Sequence, residues 1–463
     1  MRFDPVPQRF SRRTVIGAPL ALGLAGSANA VAPRVLNARD FGAKGDGRND
    51  DYPALQRFFD TLAETGGRGD IPEGVYLCSN HPSFENVDPP ATIRIRCYGT
   101  LRMTAKGRWG TTVLIRNSRK IEWEGGTLDG GDPVPRTRPF GNNGLSMSGL
   151  LSTGQRATSD VHVHGITLVN CRASVEYLGG KGFSLQRGVE NCSFQIEVRN
   201  CDFGATLESS AVDERSFVRG ITLGVRATDC RYAGLLLMQG VQRAYSDSAT
   251  VMSATIRASL HDCGTWEADG TIPLNPYADT LEVERGHFLA GDTVRFVDQS
   301  GRAMERSPVY ARGAGNGPMR FTRDHAGNQR YRPSAGVASQ AMRAVPDGWA
   351  AILFDRAQNL DLEATLSTSR TQPMTLMRGR VSNSRAQLRC SYPRIYALWD
   401  PMRHGLRAGR IPSLPGAVPN VDNDFSFELT GCGSEPLVSP PTAEIGSTTI
   451  RRTGANPRPR CAE

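Results

Sequence analysis

Glu176 stands five residues after Cys171, and Glu208 stands seven residues after Cys201. Each lies in a short run of alternating character, Ser174-Val-Glu-Tyr-Leu178 and Ala205-Thr-Leu-Glu208. Two carboxyl groups on either side of a glycosidic bond can divide its cleavage, one protonating the leaving oxygen while the other activates water. A separation of roughly 6.5–9.5 Å suits inversion and about 5 Å suits retention. Asp213, in the loop after Glu208, and Asp355, at the end of Gly348-Trp-Ala-Ala-Ile-Leu-Phe-Asp355, are further candidates. For each acid the competing role is a solvated or Arg-paired surface residue. Arg215, Arg356 and Arg378 offer planar forks for a uronate carboxylate, and Trp399, Trp266 and Tyr177 offer faces on which sugars stack. A different chemistry, β-elimination beside a uronic carboxylate, would need a base such as Lys181 or Arg215. It would also need Arg or calcium to neutralise the carboxylate.

These residues need a scaffold that repeats. Four segments end alike, in Asn170-Cys171, Asn200-Cys201, Asp229-Cys230 and Asp262-Cys263, each after an alternating run such as Ile166-Thr-Leu-Val. The Cys-to-Cys steps are 30, 29 and 33 residues. Short apolar strands follow the first three, and Arg389-Cys390 with Ile395-Tyr-Ala-Leu-Trp399 repeats the phrase later. Alternating strands broken by Asn, Asp and Gly at this period suit a solenoid of stacked β-coils. Equivalent residues then lie above one another, so the cysteines form a buried column of small apolar side chains. No CxxC spacing occurs, which argues against zinc, and His162 and His164 share one exposed strand face. Cys432 and Cys461 are a candidate disulfide pair.

With the Cys residues as ruler, Ala205 and Leu207 point inward, as do Val175 and Tyr177, and Gly234 and Leu236. Glu176 and Glu208 then point outward on neighbouring coils. One coil of about 4.8 Å and two residues of about 3.3 Å each separate their Cα atoms by roughly 8 Å.

The period breaks between about Trp266 and Val345, a stretch rich in Gly, Pro and Asn that reads as an inserted β-rich excursion. The tail, about residues 434–463, is rich in Pro and Arg and reads as irregular. Residues 11–17, Ser-Arg-Arg-Thr-Val-Ile-Gly, precede a modest apolar stretch and Ala28-Asn29-Ala30. That combination resembles a twin-arginine export signal, so residues 1–30 are expected to be removed and residues 31–463 to work in the periplasm or outside.

The 463 residues carry a net charge of +9, with 50 Gly and 29 Pro. This is turn-rich but not disordered. Without residues 1–30 the charge is +6, and all but four basic residues are Arg, which suits an acidic ligand as readily as it reflects a GC-rich genome. No basic run with interleaved aromatics points to nucleic acid, and no apolar run after residue 30 is long enough to span a membrane.

Val35-Leu-Asn-Ala-Arg-Asp-Phe-Gly-Ala-Lys-Gly-Asp-Gly-Arg-Asn-Asp-Asp51 resembles the opening of the pectate-lyase-like superfamily, in the branch with rhamnogalacturonases, epimerases and phage tailspikes. Tyr52–Leu62 reads as an amphipathic helix capped by Asp50 or Asp51 and stopped by Gly66-Gly67, and Ile71–Tyr76 matches the following family strand. The resemblance implies an all-β, right-handed parallel β-helix with an N-terminal capping helix, acting on polysaccharide from a face of stacked strands. It implies a structural role for Asp50 and Asp51. Polygalacturonase and epimerase signatures are absent. The leading expectation is paired-carboxylate hydrolysis of an acidic polysaccharide without cofactor. A calcium-assisted lyase and a non-catalytic glycan-binding protein are the alternatives, and the oligomeric state is open.

Overall fold

The computed structural model describes residues 35–104, 110–131, 142–150, 154–172, 180–210, 217–240, 252–264, 282–283, 293–297, 309–312, 319–322, 343–346, 351–355, 357–367, 375–377, 381–391, 398–399, 423–430, 438–439 and 449–453. The two cysteines nearest the carboxyl end, the signal-like segment and most of the tail lie outside them.

The chain winds between two parallel sheets, giving most coils a strand to each. The longer sheet has 16 strands, among them Thr158–Val169, Val189–Arg199, Val218–Thr228, Met252–His261, Leu360–Ser367 and Arg385–Ser391 in spatial order. The second has 10, including Gly110–Arg116, Asn142–Ser148, Lys181–Leu185, Phe203–Ser210, Ala233–Gly240 and Ile352–Asp355. Alternation explains the assembly. In Val189–Arg199 the apolar Cys192, Phe194, Ile196 and Val198 are buried while Gln195 and Arg199 are exposed. A half-solvated strand has this pattern. The buried rows of both sheets meet in one continuous core.

The repeated Asn/Asp-Cys phrase marks a corner. Asn170, Asn200, Asp229 and Asp262 all have φ between +48° and +56°, a left-handed conformation that Asn and Asp tolerate better than other non-glycine residues. Asn200 Nδ2 donates to Asn170 Oδ1 of the preceding coil at 2.7 Å. Each following cysteine turns inward. Cys171, Cys201, Cys230 and Cys263 are free and buried. Backbone hydrogen bonds from Asp202 to Cys171 O, Arg231 to Cys201 O and Gly264 to Cys230 O place them on four successive coils.

A second column, of glycines, lies near the start of the second sheet's strands. A Cβ on Gly144 would lie 2.4 Å from Gly182 O, one on Gly182 2.4 Å from Val198 Cγ1, and one on Gly204 2.3 Å from Gly234 O. The coils approach too closely there for any side chain.

Toward the amino-terminal end of the described residues, Tyr52–Thr65 is an α-helix. Its Leu55, Phe58, Phe59 and Leu62 are buried, and Phe59 stacks on Phe84 at 4.5 Å and meets Trp123 edge-on. Gly66 ends it at φ +66°. Asp51 occupies the N-cap position without a side-chain capping bond. Its carboxylate instead accepts from the Lys44 and Gly45 amides and ties down the preceding loop, while Asp50 accepts from Tyr52 N and Ser79.

Between the coil strands Met252–His261 and Leu360–Ser367, which pair directly, five strands within residues 282–346 form a separate antiparallel sheet.

Candidate active site

Residues alternate across the second sheet. Phe183 and Leu185, Ala205 and Leu207, and Leu235 and Leu237 enter the core. Between them, Ser146, Ser184, Thr206 and Leu236 form one outward file in direct register. The next file runs from Glu85 through Arg116 to Ser148. Met147 pairs with Leu185, and Leu185 with Leu207, so the residues that follow them, Ser148, Gln186 and Glu208, continue the file. Glu208 pairs with Met238 and Met238 with Asp355. Glu208 and Asp355 are therefore two strands apart in one file, with Cα atoms about 9.6 Å apart at the usual strand spacing.

This outward face is polar yet enclosed. Ser146, Ser148, Ser184, Thr206 and Lys181 are all buried. Thr111 Oγ1 donates to Ser146 Oγ at 3.0 Å and Thr206 Oγ1 to Phe183 O at 3.3 Å. Ser184 Oγ has no hydrogen-bond partner, a cost of about 1–3 kcal/mol for a buried hydroxyl.

Lys181 reaches this face through a local irregularity. Gly182 and Phe183 both turn toward the core, since a Cβ on Gly182 would meet Val198 and Cys201, and the Phe183 ring lies 4.6 Å from that of Phe194. Lys181 falls on the outer side, its amide donating to Asn143 Oδ1 at 3.0 Å. Its ammonium donates to Glu208 Oε1. The two side chains are 7% and 16% exposed. Charges so far from water persist only when paired, so each fixes the position of the other.

Two expectations about the strands are corrected. The strand beside Phe203–Ser210 is Lys181–Leu185, not Ser174–Leu178. Only Asp202 separates Cys201 from its strand, whereas eight residues follow Arg172 before Lys181. A fixed offset from Cys therefore fails on the earlier coil. Lys181 is consequently a strand residue held in an ion pair. The inward residues after Cys230 are Leu235 and Leu237, not Leu236. Ala205 pairs with Leu235, 30 residues on, while the Cys step is 29, so one extra residue at the corner reverses the parity.

Of the acids singled out in the sequence, Glu208 lies on the outward face with its side chain defined, and Asp355 ends a strand in the same file. Glu176 and Asp213 lie outside the described residues, as do Arg215, Arg356, Arg378, Trp266 and Tyr177. Trp399 lies in Leu398–Trp399, paired with Leu376 and Ser439, and its side chain is outside the description. Lys181, named as a possible base for elimination, lies on this face, and its pairing with Glu208 was not foreseen. The signal available was its place immediately before the alternating run Gly-Phe-Ser-Leu.

Among the described residues no three His, Cys, Asp or Glu side chains are grouped to hold a metal ion, and no helix is long and apolar enough to cross a membrane. His162 is exposed on the longer sheet, its Nδ1 2.7 Å from Ser193 Oγ.

No family model and no curated protein matches the sequence. Solved structures do resemble its backbone. ORF18 of Geobacillus virus E2 aligns with a TM-score of 0.50 at 10% identity over 92% of this chain, which spans 62% of that protein's length. The endo-xylogalacturonan hydrolase of Aspergillus tubingensis aligns at 0.45 and 12% identity, over 88% of this chain and 90% of that one. The exopolygalacturonase of Thermotoga maritima aligns at 0.39 and 11%, over 91% and 93%. Two long parallel sheets wound by successive coils, with an αL Asn corner and buried side-chain columns, give this chain a parallel β-helix fold.

Proposed function

We propose that this chain is an exported enzyme that cleaves glycosidic bonds in an acidic polysaccharide at the outward face of the second sheet. The observation that carries the reading is Glu208, fixed on that face by a buried ammonium and sharing its file with Asp355 two strands away. Glu208, paired with Lys181, takes the role of water-activating base, and Asp355 takes that of proton donor to the leaving oxygen. The file spacing suits the wider carboxyl separation, which leaves room for the attacking water and inverts the anomeric centre. Asp213 and Glu176 remain candidate acids in this proposal, with Arg215, Arg356, Arg378 and Trp399 as candidate substrate contacts. Export by the twin-arginine route into the periplasm belongs to the same reading.

The test is to incubate the purified protein with a panel of acidic bacterial and plant polysaccharides and analyse the products by mass spectrometry. Water added at the cleaved bond supports hydrolysis. Unsaturated ends would replace it with elimination, and retention of glycan without cleavage would leave a binding protein. Glu208→Gln should lower turnover by at least about a hundredfold, the lower end of what a positioned acid or base contributes. Undiminished turnover removes Glu208 from the mechanism.

A further inference from the structure

Away from Glu208, three cations of neighbouring coils meet at one carboxylate. Arg119 Nε lies 3.1 Å and Lys120 Nζ 3.2 Å from Asp88 Oδ1, and Arg156 Nη1 lies 2.9 Å from Asp88 Oδ2. All four side chains are between a third and a half exposed. Arg116 adds a fourth cation nearby in the chain, 3.2 Å from Glu85. Four positive charges thus answer to two acids, Asp88 and Glu85, leaving an excess of two. The backbone supports the convergence. The Arg119 amide donates to Val87 O at 3.1 Å, and Lys120 adopts φ +58°, a conformation that costs a lysine of order 1 kcal/mol. The hydrogen bond from Lys120, with the charge of Arg119 and a further hydrogen bond from Arg156, holds the Asp88 carboxyl below its usual range.

Position gives the cluster a meaning. Arg116 belongs to the file of Ser148, Gln186 and Glu208, three strands before Glu208, or about 14 Å along the sheet. A pyranose unit in an extended chain is about as long as the strand spacing of roughly 4.8 Å. A chain laid across the strands from Glu208 therefore reaches this corner after about three sugars. We propose that Arg116, Arg119, Lys120 and Arg156 form a distal subsite that recognises one carboxylate or sulfate group of an acidic glycan. This rests on the reading of the Glu208 face as a polysaccharide site. Arg supplies bidentate geometry and Lys a point charge, while Asp88 keeps the cations side by side when no ligand is bound.

The experiment is calorimetric titration of the full chain with polygalacturonate oligosaccharides, with dextran sulfate as the sulfate source and dextran as the neutral chain. The wild type should bind at least one anionic chain and not dextran. The double variant Lys120→Gln/Arg156→Gln, checked for unchanged thermal unfolding, should lose about tenfold or more in affinity, the effect of removing charge-assisted contacts. Lys120→Arg should stay within about threefold of wild type. Preference between the two anionic chains identifies the group recognised. Binding undiminished in the double variant, binding of dextran as tight as of either anionic chain, no binding of either, or equal binding of single-stranded DNA each overturns the proposal. Glu208→Gln separates the two readings. If it leaves turnover intact while the double variant loses affinity, the subsite stands and the catalytic assignment falls. If it abolishes turnover while the double variant binds normally, the subsite falls alone.

Discussion

Replacing Lys181 with Met would keep the length and apolar stem of the side chain and remove only its charge. At an effective dielectric of about 20 and a charge separation of about 4 Å, the attraction lost is about 4 kcal/mol. The lysine's own desolvation cost is recovered, but Glu208 is left 16% exposed and without its cation. Breaking one side of a buried pair costs about 3–5 kcal/mol, and Lys181→Met should fall in that range. Glu208→Gln keeps an acceptor for the ammonium and should cost less, about 2 kcal/mol. The double variant should be less destabilised than the sum, with a coupling of about 2–3 kcal/mol, inside the range for contacting residues. Urea denaturation followed by circular dichroism reads all three. A Lys181→Met cost below about 1 kcal/mol, or strict additivity, would refute the buried pair and with it the argument for why Glu208 is held in place.

Gly204→Ala should destabilise by about 1–3 kcal/mol, because its Cβ would lie 2.3 Å from the Gly234 carbonyl oxygen, which cannot move aside. Gly224→Ala is the control, where the Cβ meets the flexible end of Gln195, and its unfolding midpoint should change little. Burial pushes the thiols of Cys97, Cys192 and Cys390 up to about 12. Since the thiolate is the nucleophile, iodoacetamide at pH 8 should leave these three unmodified by peptide mass spectrometry until urea is added. Labelling of the native protein at the rate of a free thiol would refute their burial.

The sequence carried the corner more clearly than the strands that follow it. Asn or Asp before Cys is a local necessity, since the αL turn and the inward thiol are fixed by adjacent residues, and so the phrase marked four corners; Cys390, expected to repeat it, has no Asn or Asp before it and instead pairs with Leu366 inside a strand. What lies between one corner and the next strand is not local. After Cys201 the strand begins at Phe203, and after Cys171 at Lys181, and only the partner strand settles which alternating run is used. The same cause reversed the parity of Leu235–Leu237, for which one extra corner residue was enough. The pairing of Lys181 was hidden for another reason. An ammonium in a buried setting is defined by its partner, and Glu208 lies 27 residues away. The cations around Asp88 come from two stretches of chain, Arg119-Lys120 and Arg156, and the acid that gathers them lies on a third.

Met238 and Asp355 are immediate partners across the sheet although 117 residues separate them along the chain. The helical stack is thus spliced around a detour that carries its own antiparallel sheet, and the pitch resumes on the far side unchanged. Length added to or taken from the detour leaves Glu208 and Asp355 at the same mutual distance. The coil stack is therefore indifferent to the size of what is inserted between these two strands.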